Sequence, residues 1–263
     1  DDYSLEYAIN NSYIYSGEGN DGGGDRPNIE VTNICDTEIT LPVTKILQTE
    51  YQIYQMHIEG DFLYVMANNG SREHLYREGD PSTVLQVINI QSIDKLKVIG
   101  EYVFEGLVPK FKVLNKYAYI ASDKEVLILD LTQPSSIKQH SKIKLSFEEY
   151  FSDDIAVNGN NIFITGNNVL KVINRTSEQL TQEVEFKFRT SDILINDNFI
   201  YVLGWKNSWD NSKIAILEMI GGKAILRSVV ETEERLSWIK LIDNHIVSRE
   251  GKDIFKIYRT KKK

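Results

Sequence analysis

Asp154 and Asp192 each open a short apolar run, DIAV and DILI, and each run leads into a tight polar turn, NGN or NDN. Counting back from equivalent turns places Gln55, Lys110 and Trp238 at the same point of three other runs. Two carboxylates on neighbouring elements can share a cation, or divide into acid and base as in glycoside hydrolysis. An indole beside them can stack on a sugar face. The same carboxylates can instead accept backbone amides near a turn. The second reading, with Lys110 as a partner of the acids, is preferred because strand starts commonly need such acceptors, and Gln55 and Lys110 supply no third acid for a glycosidase. These five residues are expected at the mouth of a central channel.

A second candidate is aromatic. The stretch from Gly204 to Asn211, GWKNSWDN, holds Trp205 and Trp209, two of the three tryptophans in the chain. The stretch from Asn68 to Pro81 is similarly long and contains Arg72, His74, Tyr76 and Arg77. Trp, Tyr and Arg dominate binding hot spots, and loops commonly carry function. Both stretches are therefore expected to form a partner-binding face, with packing of the indoles onto their own loop as the competing outcome.

Other chemistry finds little support. Cys35 is the single cysteine, so no internal disulfide can form, and no paired histidine motif marks it as a nucleophile. His57, His74, His140 and His245 are scattered without metal-ligand spacing. The run Gly17–Asp25 is rich in Gly and Asp, but a lone copy lacks the stacking neighbours of a calcium-binding repeat and reads as a linker. No catalytic residue, metal or cofactor is expected. A net charge of −8 argues against a general nucleic-acid binder, which needs a basic face to displace counterions. No window approaches the roughly 18 apolar residues of a membrane helix.

The elements that must position these residues are strands. Residues 1–37 hold five glycines between 17 and 24 and little apolar periodicity, so they read as a partly irregular arm or tether. From residue 38 onward, short runs rich in Val, Ile, Leu, Tyr and Phe alternate with polar turns. Tyr64, Tyr119, Phe163 and Tyr201 recur in one slot of a unit about 40–50 residues long with four strands, the pattern of a β-propeller. One such sheet cannot bury both faces alone, so neighbouring sheets must stack. The expected fold is all-β: a five-bladed propeller over 38–263. The fifth unit lacks a strand, and Glu38–Leu47 is expected to complete that last blade and close the ring, with Pro42 tolerated on an outer edge.

Three stretches, VLQVINIQSIDKLKVIGEY, EVLILDLTQPSSIKQHSKI and VLKVINRTSEQLTQEVEF, with the preceding NKYAYIAS, resemble the LVIVD repeat of bacterial and archaeal proteins. The repeat's acid position is Asn89, Asp130, Asn174, Glu218 and Tyr258 here. The resemblance implies a propeller, an exported or surface setting in the bacterial cell envelope, and no shared catalytic residues. It suggests a non-catalytic binding scaffold for a protein partner, with a lipid tether upstream of Asp1 as one form of attachment. A carbohydrate-active propeller, glycosidase or lectin-like, is the alternative, using the channel mouth on a glycan.

Overall fold

Strict alternation of apolar and polar residues gives strands one buried face, and consecutive strands joined by tight turns pair antiparallel. In the computed structural model the antiparallel pairing recurs through the described residues, and central strands such as Asn161–Gly166 are buried on both faces. The structure describes residues 6–10, 12–17, 28–33, 43–48, 52–68, 82–105, 110–122, 125–145, 153–207, 211–232, 235–242, 245–250 and 254–259. The chain divides into two compact units, Asp1–Tyr119 with Leu127–Ser141, and Ile120–Val126 with Lys142–Lys263.

The first unit begins with β1 (Glu6–Ile9), β2 (Tyr13–Gly17), β3 (Asn28–Asn33) and β4 (Val43–Gln48), one sheet in that order. A second sheet follows as β5 (Gln52–Glu59), β6 (Phe62–Asn68), β7 (Ser82–Asn89) and β8 (Lys97–Glu105), with a 3-10 turn at Ile93–Lys95. Tyr15, Ile29 and Val31 pack with Ile53, Leu63, Val65 and Ile88 in one core. The division between units falls within the third sheet, formed by β9 (Lys110–Leu114), β10 (Tyr117–Ala121), β11 (Glu125–Asp130) and β12 (Lys138–Lys144).

The second unit continues with β13 (Asp154–Val157), β14 (Asn161–Gly166), β15 (Val169–Asn174) and β16 (Gln179–Glu185). Next come β17 (Arg189–Asn196), β18 (Phe199–Trp205), β19 (Ser212–Ile220) and β20 (Lys223–Glu231). A sheet of three strands ends the described residues: β21 (Leu236–Ile242), β22 (His245–Glu250) and β23 (Ile254–Arg259). Phe163, Leu170 and Val172 of β14 and β15 bury against Ile200, Val202, Ala215 and Leu217 of the next sheet. The other face of that sheet, through Tyr201, Leu203 and Ile214, meets Leu236, Ile239 and Ile246.

Two expectations need correction. The described residues form six sheets, not five, and Val43–Gln48 does not complete the last one. It pairs with β3, matching Ile29 to Leu47 and Val31 to Lys45. Pairing with the preceding strand closes a short loop, which costs little chain entropy compared with a distant partner. The residues read as an arm hold three strands, and the alternation of Asn28–Asn33 buries Ile29 and Val31. Gly17, taken for a linker residue, ends β2 where a Cβ would lie 2.8 Å from Ile53 Cγ2, so its missing side chain lets β2 approach β5. Cys35, Pro42 and most of the Gly17–Asp25 run lie outside the described residues.

Tyr64, Tyr119, Phe163 and Tyr201 are all buried. Burial pushes the Tyr64 phenol up to about 12, with the nearby Glu59 charge adding to the effect. The turn before Tyr117 has φ of 53° at Asn115 and 63° at Lys116, the two successive positive values of a two-residue hairpin turn.

Candidate functional site

The first strand of each sheet is an edge, with one row of backbone N–H groups lacking a ladder partner. These edge strands follow one another: β5 lies beside β9 in the first unit, and β13, β17 and β21 lie in series in the second. At the slot shared by Gln55, Asp154 and Asp192, the side chain accepts an amide from the following edge strand. Gln55 Oε1 accepts the N–H of Phe111 at 3.1 Å. Asp154 Oδ2 accepts the N–H of Ile193 at 3.3 Å, and Asp192 Oδ2 accepts the N–H of Ile239 at 2.7 Å. Each donor sits one residue after the same slot in its own sheet: Lys110, Asp192 and Trp238 in turn.

Local irregularity accompanies this slot. The ladders slip between Ile53 and Gln55, between Thr190 and Asp192, and between Leu236 and Ile239. A bulge adds twist and re-aims a side chain. Asp192 Oδ1 also accepts the N–H of Ile193 at 2.9 Å, so both its oxygens are engaged. Asp154 is 8% exposed. The structure therefore brings Asp154 beside the Asp192 strand as the spacing implies, but as acceptors joining one sheet to the next. Lys110 has no acceptor and stands exposed in the equivalent place. Trp238 is half-buried, with Lys240 Nζ 5.4 Å from its ring centre. Among the described residues, no group of three or more His, Cys, Asp or Glu is placed to hold a metal ion.

The sequence reading missed a second acceptor on the β5 strand. Glu59 takes the N–H groups of Asn115 and Lys116, at 2.7 and 3.1 Å, and so caps the turn of the neighbouring sheet. Between Gln55 and Glu59 lies His57. Burial, then the charge of Lys112, brings its pKa down to about 4, so the imidazole is neutral at pH 7. Nothing in the local sequence marks His57 or Glu59, because both effects depend on a strand some 55 residues away.

The repeat's acid position also acquires a role. Asp130 Oδ1 accepts the N–H of Thr132 at 2.8 Å, and this bond holds its carboxyl below the usual range. Asn89 does the same for Gln91, and Asn174 for Thr176 and Ser177. An amide oxygen serves as well as a carboxylate oxygen in such a turn. Glu218 departs from the pattern: it pairs with Arg227, and a Gly221–Gly222 turn replaces the capped loop.

Trp205 is the last residue of β18, opposite Arg189 on β17 and Ser212 on β19. Gly204 before it is a close-approach position, since a Cβ would fall 2.0 Å from the Arg189 carbonyl oxygen. The indole is half-buried, and the Arg235 guanidinium carbon stands 4.6 Å from its ring centre. Arg235 thus lies over the ring, and Arg189 stands opposite Trp205 in the ladder, on a chain whose net charge is −8. Arg235 was not foreseen from the sequence, which offers no signal linking it to a tryptophan 30 positions earlier. Trp209, Arg72, His74, Tyr76 and Arg77 lie outside the described residues.

These sheets define an all-β protein of the propeller type. Residues 105–142, covering β9 to β11 and most of β12, match the LVIVD repeat. The WD40 β-propeller domain of Doa1 superposes with a TM-score of 0.70 at 12% identity, over 98% of this chain and 78% of that one. A protein from Lactobacillus plantarum gives 0.65 at 18% identity, over 85% and 69%. BamB from Moraxella catarrhalis gives 0.56 at 13% identity, over 98% and 82%. No curated protein matches the sequence significantly. Likeness extends to 817 solved chains, so the fold alone does not select a ligand. No helix among the described residues is long and apolar enough to cross a membrane.

Proposed function

We propose that this protein is a non-catalytic binding scaffold of the bacterial cell envelope, engaging a protein partner at the Trp205 corner. The observation that carries the reading is the half-buried indole with the Arg235 guanidinium over it and Arg189 opposite it in the ladder. Tryptophan and arginine concentrate binding energy, and a cation held over a ring is already oriented for a carboxylate. The partner surface is accordingly acidic with an apolar anchor. The LVIVD repeat and the structural likeness to BamB and a WD40 domain support a scaffold in the envelope. The carbohydrate alternative is weaker, because Asp154 and Asp192 accept backbone amides and Lys240 stands near the Trp238 ring.

Quantitative pull-down from a bacterial envelope fraction tests this, comparing wild type with Trp205→Ala and Arg235→Ala. A protein recovered by wild type and lost from both variants, with unchanged circular dichroism, supports the reading. Equal recovery by all three proteins, together with a signal on a glycan array, replaces it with sugar binding.

A further inference from the structure

Turns of the first two sheets enclose a cleft of about 380 Å³, lined by Asn10, Ser12, Tyr13, Ile58, Gly60 and Ile90. All six residues belong to the first unit, where β1 and β2 pack beside β5. In the turn between β1 and β2, Asn10 donates its N–H to the Tyr13 carbonyl at 3.1 Å. Its Oδ1 accepts the N–H groups of Ser12 and Tyr13 at 3.0 and 2.8 Å. In the turn between β5 and β6, Gly60 has φ of 59°, and a Cβ there would meet nothing within 4 Å. The Ile90 N–H donates to the Asp61 carbonyl at 2.9 Å, which holds the residue after β7 beside that turn.

The lining is of two kinds. Tyr13 and Ile58 are partly buried and pack on the core of this unit, and Ile90 is part of that core. The Tyr13 ring lies 6.4 Å from that of Tyr15, tilted by 59°, so packing orients it from within the sheet. These three side chains give the cleft an apolar surface, and Asn10 and Ser12 give it a polar one. With Oδ1 of Asn10 engaged in the turn, its Nδ2 remains to donate, and the Ser12 hydroxyl can both donate and accept. Tyr15 Oη is fully buried with no hydrogen bond of good geometry. Burial pushes its pKa up, and the Asn10 side chain is near enough to offset part of that rise. A buried polar group left unmet calls for a partner.

The lining indicates what fits. No charged side chain lines the cleft. The carboxylate of Glu59, next to Gly60, is taken by the amides of Asn115 and Lys116, and Asp61 on the other side is exposed to water. An ion entering the cleft would lose hydration without gaining a counter-charge from its walls. A sugar ring carries the matching pair of surfaces, an apolar C–H face and a rim of hydroxyls. The volume lies within the range of small-molecule sites, which combine apolar walls with a few placed polar groups. We propose that this cleft binds one uncharged pyranose ring, with its C–H face on Tyr13 and its hydroxyls on Asn10 Nδ2 and Ser12 Oγ. The open space over Gly60 leaves room for the ring. The site uses none of the residues expected at a channel mouth, and it stands whether or not the Trp205 corner binds.

The test is an NMR titration of the full, isotope-labelled chain, read at the backbone amides of Ser12, Tyr13 and Gly60. The probes are the methyl pyranosides of glucose, galactose, mannose and N-acetylglucosamine, with tetramethylammonium and acetate as charged comparisons. The expected result is that at least one pyranoside shifts these amides to saturation, with a midpoint of about 1 mM for a ligand of so few atoms, and that the two ions do not. Tyr13→Ala weakens binding about tenfold, the scale of one lost aromatic contact, and Tyr13→Phe leaves it within about twofold. Gly60→Asn tolerates the positive φ, fills the open space and leaves the core untouched, so it blocks the cleft without unfolding the sheet. Its binding should fall at least as far as that of Tyr13→Ala. Three results overturn the proposal: no pyranoside shifts these amides, an ion shifts them as strongly as the sugars do, or Gly60→Asn and Tyr13→Ala both bind as the wild type does.

Discussion

Asp192 and Trp205 lie on adjacent strands of one sheet, near the same end, and their situations are opposite. Asp192 has the residue type of a catalyst, yet its two oxygens accept the N–H groups of Ile193 and Ile239. Trp205 has the residue type of a core filler, yet it is only half-buried and a guanidinium lies over its ring. A group whose hydrogen-bonding capacity is satisfied within the fold stabilises it, and a group left partly exposed beside unlike charge is available to something else. Asp192 should therefore govern stability and Trp205 binding.

The largest effect is expected at the acceptor. Asp192→Ala leaves the Ile239 amide buried without its anionic partner, a loss of about 3 kcal/mol on the scale of hydrogen bonds to charged groups. Chemical denaturation should show it as a lowered midpoint with an unchanged slope, and Asp192→Asn should recover part of it. A midpoint unchanged by the alanine substitution would remove the distinction between the two residues.

Next in size is an effect of pH at His57, a half-buried residue of the first unit. Its folded pKa of about 4 lies below the ordinary 6.5, so the unfolded chain binds the proton more readily. The stabilisation is complete above about pH 6.5 and is lost as pH falls toward 4. The span corresponds to at most about 3 kcal/mol, and less because the ring is not wholly enclosed. His57→Gln should flatten the stability profile across that window. Persistence of the same slope in the variant would place the proton uptake elsewhere.

A smaller loss, about 1 kcal/mol, is expected for Asn174→Ala, which removes the acceptor for Thr176 and Ser177. Asn174→Asp should be neutral or slightly stabilising, since the carboxylate at Asp130 performs the same task. Thermal melts of the two variants distinguish a capping role from mere side-chain volume. Least affected in stability is Trp205→Ala, at under about 1 kcal/mol for a half-buried position at a strand end, while its partner affinity collapses. A large loss of stability with binding retained would turn the contrast with Asp192 around.

Much of this architecture is written locally. Runs such as EVLILD and NIFITG carry their own β-propensity and turn residues, and the turns that align them also align Gln55, Asp154 and Asp192. Those features depend on neighbours within a few positions, so one chain suffices to find them. The first sheet was obscured because its strands are as short as EYAI and YIYSG and a Gly-rich stretch follows the second. A strand of four or five residues has too few apolar positions to announce itself before it meets a core.

The sequence by itself determined the strand class, the recurring unit, the equivalence of the five slot residues and the acidic charge balance. These follow from side-chain chemistry and periodicity along the chain. Only the tertiary structure decided that the slot acids bond amides on the following edge strand, that Arg235 lies over Trp205, that Lys112 and burial lower the pKa of His57, and that Val43–Gln48 pairs with β3. Each depends on which distant segments become neighbours, and therefore on the balance of loop entropy, burial and hydrogen-bond satisfaction across the whole chain.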